Sequence, residues 1–263
     1  MIHTVKGGPR FGTVSIPASK SQAHRLLICS ALAKEETSFS CDCISKDIQA
    51  TIDCLNALGA EISEKAEGIL SVKPIANVPK EPRYLPCGES GSTLRFLIPA
   101  AGALGADCVF RMKGRLPERP IEEYLKLLSD HGMAFRKEKD ILYCSGMLAP
   151  GAYAIPGDIS SQYISGLLFA LPLIDGESTL KVTGSIGSAD YIAMTENTLK
   201  QYGISFKKCR NTYTVPGRQH YRAPSAVKIE SDWSNAAFFL CIGAFSPNGV
   251  TVRGMSADTL QGD

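Results

Sequence analysis

Net charge is scarce in this chain of 263 residues, because 28 lysines and arginines are nearly balanced by 26 aspartates and glutamates. Without a strongly basic field around the protein, a nucleic-acid partner is disfavoured and any anion has to be bound locally. No apolar run reaches the roughly 18 residues of a membrane span, and the N-terminus lacks the apolar core of a signal peptide. We therefore expect a soluble, cytoplasmic protein with no nucleic-acid and no membrane partner.

Patterns for metals, disulfides and nucleophilic catalysis are also missing. The nine cysteines include no CxxC pair, and no HExxH, catalytic-triad or P-loop motif occurs. Cys41 and Cys43 are close together, but nothing nearby supplies the remaining ligands of a metal. An odd number of scattered cysteines is typical of reduced thiols in a cytosolic protein. We expect no metal site, and no convincing general base emerges from the chain.

A repeat of about seventy residues organises the sequence. In four places a serine-rich polar start leads into a strongly apolar segment of helical length, at intervals of 70 or 71 residues. These starts are Ser19, Ser90, Ser160 and Ser231. The first three segments are each followed by an amphipathic stretch that ends in a glycine suited to terminating a helix. These glycines are Gly59, Gly132 and Gly203.

Each repeat is therefore predicted to contain a strand, an apolar inner helix, a strand, an amphipathic outer helix and then further strands. Helices without a polar stripe have to be covered on nearly all sides, so the inner helices are expected at the centre with the sheets outside. The predicted fold class is α/β (α+β). Because the fourth repeat stops before its terminating glycine, we expect a fragment of a longer chain with three full units.

Polar side chains cluster at the starts of the inner helices. Those within about a turn of the serines are Lys20, Arg25, Arg95, Gln162 and Tyr163. Serines here could act only as N-caps, but the repetition of cationic and polar side chains favours a shared anion site at the helix N-termini. Arg119, just before a helix that Pro120 begins, is a further candidate, although pairing with Glu118 or Glu123 is equally open.

Five motifs carry a resemblance that extends along essentially the whole chain. They are "IPASKSQAHRLLICSALA", "CGESGSTLRFL", "RPIEEYLKLL", "SSQYISGLLFALPL" and "DTLQGD". In order and spacing they resemble the N-terminal part of the 5-enolpyruvylshikimate-3-phosphate synthase family. These transferases move the enolpyruvyl group of phosphoenolpyruvate to the 5-hydroxyl of shikimate 3-phosphate, in aromatic amino acid (chorismate) biosynthesis.

The resemblance implies two domains, each built from three βαβαββ units, with the substrates bound between them and no metal or organic cofactor. Residues 15–226 would form one complete domain. Residues 1–14 would supply the first strand of the other domain, and residues 227–263 would begin its truncated remainder. The missing C-terminal domain of the same chain would then be a partner of this part.

The same resemblance implies roles for individual residues. Lys20 would meet both substrates and is the catalytic candidate. Shikimate 3-phosphate would be bound by Lys20, Ser21, Arg25, Ser160, Ser161, Gln162, Ser188 and Tyr191. Phosphoenolpyruvate would be bound by Lys20, Gly91, Ser92 and Arg119. The sequence departs from the family pattern at Glu89, where many members have asparagine, and at Ala189 and Asp190, which replace a pair that is often basic and proline-containing.

Two alternatives stay open beside this interpretation. One is the related enzyme that transfers the enolpyruvyl group to UDP-N-acetylglucosamine, although "SSQYISG" favours shikimate 3-phosphate and Cys108 lacks the context of that enzyme's reactive cysteine. The other is a non-catalytic module that binds anions. Because the family's acid and base residues belong to the C-terminal domain, this chain is expected to bind shikimate 3-phosphate weakly and to catalyse nothing alone.

Overall fold

The computed structural model describes residue 4 and residues 7–225 and 227–262. Within these ranges the chain forms fourteen strands and seven α-helices. In chain order they are β1 (Gly12–Ser15), α1 (Lys20–Ala31), β2 (Thr37–Ser40), α2 (Lys46–Ala57), β3 (Glu61–Ala66), β4 (Ile69–Lys73), β5 (Arg83–Gly88), α3 (Gly91–Leu104), β6 (Cys108–Met112), α4 (Glu122–Ser129), β7 (Met133–Glu138), β8 (Ile141–Gly146), β9 (Ala152–Pro156), α5 (Ser161–Ala170), β10 (Ser178–Thr183), α6 (Ala189–Gln201), β11 (Lys207–Cys209), β12 (Thr212–Val215), β13 (Val227–Lys228), α7 (Trp233–Ala244) and β14 (Val250–Arg253).

Three four-stranded sheets share one topology. Their orders are β5-β6-β8-β7, β9-β10-β12-β11 and β13-β2-β4-β3. In each sheet the first two strands are parallel and the other pairs are antiparallel. The second and third units follow the predicted order of strand, inner helix, strand, outer helix and two strands. The first unit takes its opening strand from Val227–Lys228, far along the chain, which brings the segment after the third unit back to the first.

The inner helices α1, α3 and α5 are buried along most of their length. Helix α3 packs directly along α5, where the rings of Phe96 and Phe169 meet edge to face with centroids 5.4 Å apart. Helix α1 packs against the outer helices α2 and α6. The prediction of an α/β protein with buried inner helices and outer sheets is confirmed, because strongly apolar helices are stable only when covered on most sides.

The predicted ends of the outer helices agree with the backbone, whereas α4 begins at Glu122, two residues after the predicted start at Pro120. Gly59, Gly132 and Gly203 all have positive φ, at 108°, 97° and 74°, close behind the ends of the three outer helices. Left-handed backbone at these positions ends a helix and favours glycine, which has no Cβ to clash. The periodic pattern therefore located each outer helix together with its end.

Capping differs among the four serine starts. The hydroxyl groups of Ser90 and Ser160 accept hydrogen bonds from backbone N–H groups of α3 and α5, both at 3.2 Å. Ser19 makes no side-chain cap. Instead the carboxylate of Asp232 accepts from the backbone N–H of Lys20 at 3.2 Å and from that of Asn235 at 2.9 Å, so that it caps α1 and α7 together.

A buried chain of hydrogen bonds connects helices α1, α2 and α3. The Nδ1 atom of His24 lies 2.7 Å from the Thr51 hydroxyl, which lies 2.6 Å from the Thr93 hydroxyl, which donates to Ser90 at 2.7 Å. Burial lowers the pKa of His24 from 6.5 to about 3, with nearby Lys20 and Arg25 adding to the effect and Asp47 opposing it. His24 is therefore neutral in the folded protein at neutral pH.

This neutral histidine predicts a loss of stability in mild acid. Below pH 6.5 the unfolded chain binds a proton at His24 that the folded chain binds only near pH 3, so the free energy of unfolding decreases as pH falls through this window. One such proton contributes a slope approaching about 1.4 kcal/mol per pH unit. Urea unfolding between pH 7 and 4 should show a shallower slope for His24→Gln. His220→Gln, at an exposed histidine, should keep the original slope, and equal slopes for all three proteins would contradict the assignment.

The remaining elements form a smaller, exposed group. Strand β1 pairs in parallel with β14, and α7 packs against β14. Large apolar side chains of this region are exposed, including Phe238 at 72% and Phe245 at 92%. Of the expected domain segments, residues 1–3, 5, 6, 226 and 263 lie outside the described residues. Strand β13, expected in the second domain, pairs with β2 and so adds to the sheet of the first unit. None of the described helices is long and apolar enough to cross a membrane.

Candidate functional site

An open cavity of about 370 Å³ lies where the starts of α1, α3, α5 and α6 come together. Residues from all three repeat units line it. Those that the sequence predicted are Ser21, Arg25, Ser92, Ser160, Ser161, Gln162, Ser188 and Tyr191. Because several helix N-termini, each with unpaired N–H groups, converge here, the cavity suits a small anion that also carries hydroxyl groups.

Arg25 forms one wall of this cavity. Its side chain is only 3% exposed, and it donates to the Thr195 hydroxyl at 2.8 Å and to the backbone carbonyls of Ser21 and Tyr191 at 2.6 and 2.7 Å. The guanidinium also lies over the ring of Phe96, 5.4 Å from its centroid. Burial lowers the pKa of Arg25 to about 10, so the group keeps its charge at neutral pH.

No carboxylate of the described ranges lies within ion-pair distance of Arg25. Its three hydrogen-bond partners are neutral oxygens, and these occupy three of the five N–H groups of a guanidinium. A buried charge without a counter-ion is costly, so a nearby anion would be strongly favoured. Arg25 is therefore the most pronounced electrostatic feature of the cavity.

The third repeat unit contributes hydroxyl and amide groups from two adjacent loops. Gly157 donates its N–H to Thr183 and accepts from the N–H of Gly187, at 2.9 and 3.0 Å, which holds the loop before α5 against the loop before α6. A Cβ at Gly157 would lie 2.7 Å from the carbonyl oxygen of Ser185, so only glycine permits this approach. Ser188 has a left-handed backbone, with φ of 55°, at the start of α6. Such strain in a non-glycine residue is typical of functional loops.

The second repeat unit brings two arginines to the start of α3. A Cβ at Gly91 would collide with Nη1 of Arg95 and lie 3.2 Å from Nη1 of Arg119, so both guanidinium groups lie against this glycine. The alternative of a surface pair between Arg119 and Glu118 is not what the structure shows, because the Glu118 carboxylate lies 4.0 Å from Arg115 instead. Glu89, the departure from the family pattern, places its carboxylate against Gly114.

Lys20, Gly91 and Arg119 do not line the cavity itself. The ammonium of Lys20 lies 3.0 Å from a carboxylate oxygen of Asp47, and the Lys20 side chain is 47% exposed. A half-exposed ion pair of this kind contributes little to stability, so it can exchange for another anion at small cost. Most of the residues predicted to bind shikimate 3-phosphate therefore line one cavity. Three of those predicted to contact phosphoenolpyruvate lie outside its lining.

Sequence reasoning did not select four of the residues that line the cavity. They are Phe96, Gly157, Asp158 and Ile159. Phe96 follows Ser92 by four positions, so helical periodicity places both on one face of α3, and that signal was available. Loop residues 157–159 show no periodic pattern, and their positions depend on contact with the neighbouring loop.

The part of the chain that the structure describes contains no candidate metal site. No group of three or more histidine, cysteine, aspartate or glutamate side chains is arranged there to hold an ion. Burial raises the pKa of the Cys54, Cys87 and Cys108 thiols above their ordinary value, which disfavours reactive thiolates at these positions.

Several known proteins are similar to this chain in sequence or in structure. The family model for EPSP synthase (3-phosphoshikimate 1-carboxyvinyltransferase) matches residues 5–263. The 3-phosphoshikimate 1-carboxyvinyltransferase of Clostridium beijerinckii is 39% identical over 97% of this chain, and that of Brachyspira hyodysenteriae is 38% identical over all of it. The solved EPSP synthase of Acinetobacter baumannii superposes with a TM-score of 0.77 at 23% identity, over 96% of this chain and 58% of that one. The chain spans 60% of the length of the Clostridium beijerinckii relative and 62% of the Brachyspira hyodysenteriae one. With the family model matching nearly the whole sequence, the chain belongs to the EPSP synthase family.

Proposed function

We propose that this chain provides the shikimate 3-phosphate side of a 3-phosphoshikimate 1-carboxyvinyltransferase, a transferase of aromatic amino acid biosynthesis. The observation that carries the proposal is the buried, uncompensated charge of Arg25 in a cavity otherwise rich in hydroxyl groups. Shikimate 3-phosphate has a matching composition, with a carboxylate, a phosphate and ring hydroxyls. We also predict a cytoplasmic location.

The proposed role of each residue follows from the helix start at which it lies. Arg25 and Ser21 at the start of α1 would bind the carboxylate side of the ligand, together with Tyr191. The hydroxyl groups of Ser160, Ser161 and Ser188 and the amide of Gln162 would hold the phosphate and the ring. Gly91, Ser92 and Arg119 would contact phosphoenolpyruvate at the adjoining start of α3. Lys20, at the start of α1, would meet both substrates.

The reaction itself would need groups beyond these. Transfer requires a proton on the methylene carbon of phosphoenolpyruvate and addition of the substrate hydroxyl to its C2. Phosphate then leaves from the tetrahedral intermediate while the proton is lost again from the methyl carbon. The arginines and Lys20 would stabilise negative charge through these steps. We propose that the acid and base come from a second domain, to which residues 1–14 and the residues after β13 belong, whereas the three four-stranded sheets, including β13, belong to the first domain.

Calorimetric titration of the 263-residue chain tests this proposal. We expect measurable binding of shikimate 3-phosphate, weaker binding of shikimate or inorganic phosphate alone, and no heat from UDP-N-acetylglucosamine. With phosphoenolpyruvate added, we expect no release of phosphate from these 263 residues, because we assign the acid and base to a second domain. If shikimate 3-phosphate fails to bind, or UDP-N-acetylglucosamine binds better, the proposed substrate is wrong. Phosphate release from the purified 263-residue chain, free of any other EPSP synthase, would overturn the assignment of the acid and base to a second domain.

A further inference from the structure

Arg95 is a second buried arginine beside the cavity, but it does not line it. The residue is 8% exposed, and no carboxylate of the described chain forms an ion pair with it. Its Nη1 atom donates to Oε1 of Gln162 at 3.0 Å, across the contact between α3 and α5. The buried Nε atom has no hydrogen-bond partner in the described chain, so the bond to Gln162 is the side chain's main polar anchor.

The surroundings hold the guanidinium in place. It lies 5.6 Å from the centroid of the Tyr163 ring, which stacks on Tyr124 with centroids 4.3 Å apart. The hydroxyl of Tyr163 donates to the carbonyl of Pro120 at 2.7 Å. Gly91 leaves the space that Nη1 occupies. The Tyr163 ring beside the guanidinium and the close approach of Nη1 to Gly91 leave Arg95 little freedom to turn toward another partner.

The chemistry of arginine then determines how the Gln162 amide is oriented. A guanidinium has only donors, so the atom of Gln162 that faces it has to be the amide oxygen. The amide nitrogen consequently faces Ser92, whose Oγ accepts at 2.9 Å. Because Ser92 accepts this bond, its own hydroxyl hydrogen remains available, as does the second N–H of Gln162. Both residues line the cavity, and both would present donors to it.

We propose that Arg95 is a positioning residue that orients the amide of Gln162, and through it Ser92, so that Gln162 donates a hydrogen bond to shikimate 3-phosphate and Ser92 presents its hydroxyl hydrogen to phosphoenolpyruvate. This inference rests on the proposed function for the identity of the ligand, but the orientation of the amide is a property of the chain alone. Without Arg95 the amide can rotate by half a turn and present its oxygen to an anion, which would repel it.

Three variants and two measurements test the inference. Arg95→Met removes the donor, and we expect binding of shikimate 3-phosphate to weaken at least 10-fold. Arg95→Lys keeps a donor and a charge at this position and should recover most of the affinity. Arg83→Met is the matched control, because the Arg83 guanidinium donates to the backbone carbonyl of Ala57 outside the cavity, and it should bind as the parent chain does.

The second measurement is hydrogen exchange of the Gln162 side-chain amide by NMR, without ligand. We expect faster exchange and shifted resonances in Arg95→Met, and near-parental behaviour in Arg95→Lys and Arg83→Met. A purely structural role of Arg95 would not give this pattern with rescue by lysine. If the Gln162 resonances are unchanged in folded Arg95→Met, the inference is wrong, whether or not the affinity for shikimate 3-phosphate changes. If the parent chain binds no shikimate 3-phosphate while the amide responds as expected, the proposed function fails and the orienting role stands.

Discussion

Replacing Arg25 by methionine is expected to weaken the binding of shikimate 3-phosphate at least 100-fold, which corresponds to about 2.7 kcal/mol. The side chain supplies the buried, uncompensated positive charge of the cavity, and charge-assisted hydrogen bonds contribute about 1.5–3 kcal/mol each. Methionine can fill the space beside Phe96, and Thr195 keeps its hydrogen bond to Ser165 at 2.8 Å, so the fold should survive. Calorimetry on the folded variant measures the loss.

Two further variants show whether the loss of affinity is specific to the charge and shape of the Arg25 guanidinium. Arg25→Lys keeps a charge but loses the planar fork, so we expect an intermediate affinity, because lysine cannot bind a carboxylate through two parallel hydrogen bonds. Arg111→Met removes an exposed arginine of the outer sheet and should leave binding unchanged. If Arg25→Met binds within 3-fold of the parent chain, Arg25 is not the anchor of the ligand.

A stability loss of about 3 kcal/mol is expected when Gly166 is replaced by alanine, the second large effect. The added methyl group would lie 2.5 Å from the carbonyl oxygen of Arg95 and 2.6 Å from the hydroxyl of Tyr124. That hydroxyl donates to the carbonyls of Arg95 and Tyr163, both at 3.2 Å. Overpacking costs about 1–3 kcal/mol and a lost buried hydrogen bond about 1–3 kcal/mol more. Unfolding in urea measures the change.

Helix propensity alone would predict the opposite result, a gain in stability for Gly166→Ala. Alanine is favoured over glycine inside a helix by about 1 kcal/mol, so an unconstrained Gly166 should gain stability on replacement. Gly187→Ala is a matched control, since a methyl group there would meet nothing closer than 3.7 Å. We expect it to change the free energy of unfolding by less than about 0.5 kcal/mol. A Gly166→Ala protein as stable as the parent would show that α3 and α5 are not in close contact.

Packing between α3 and α5 around Gly166 also affects the cavity. Helix α3 carries Ser92, Arg95 and Phe96, and α5 carries Gln162. The hydrogen bonds from Arg95 to Gln162 and from Gln162 to Ser92 span the two helices near their starts. A separation of α3 from α5 would therefore disturb the cavity as well as the core, and Gly166→Ala should weaken ligand binding in the fraction that stays folded.

Periodicity in the sequence was enough to predict the architecture. The seventy-residue spacing, the apolar inner helices and the glycines after the outer helices all depend on local backbone preference and on burial, which are read along the chain. The structure confirmed these features, for example at α3 and at Gly203. The same motifs located the family, because several ordered residue patterns span nearly the whole chain.

Other properties required the tertiary structure. The sequence placed Arg25 near a helix start, but its burial and the lack of a carboxylate partner follow from packing against Phe96 and Tyr191, far away in the chain. The pairing of β13 with β2, the double cap at Asp232 and the bond between Arg95 and Gln162 likewise join residues more than sixty positions apart. Sequence by itself determined which helices and strands form and which chemical groups stand at their starts, because those depend on neighbours in the chain. Only the folded structure decided which groups face the same cavity and which donors are already occupied, because those depend on distances that no local pattern encodes.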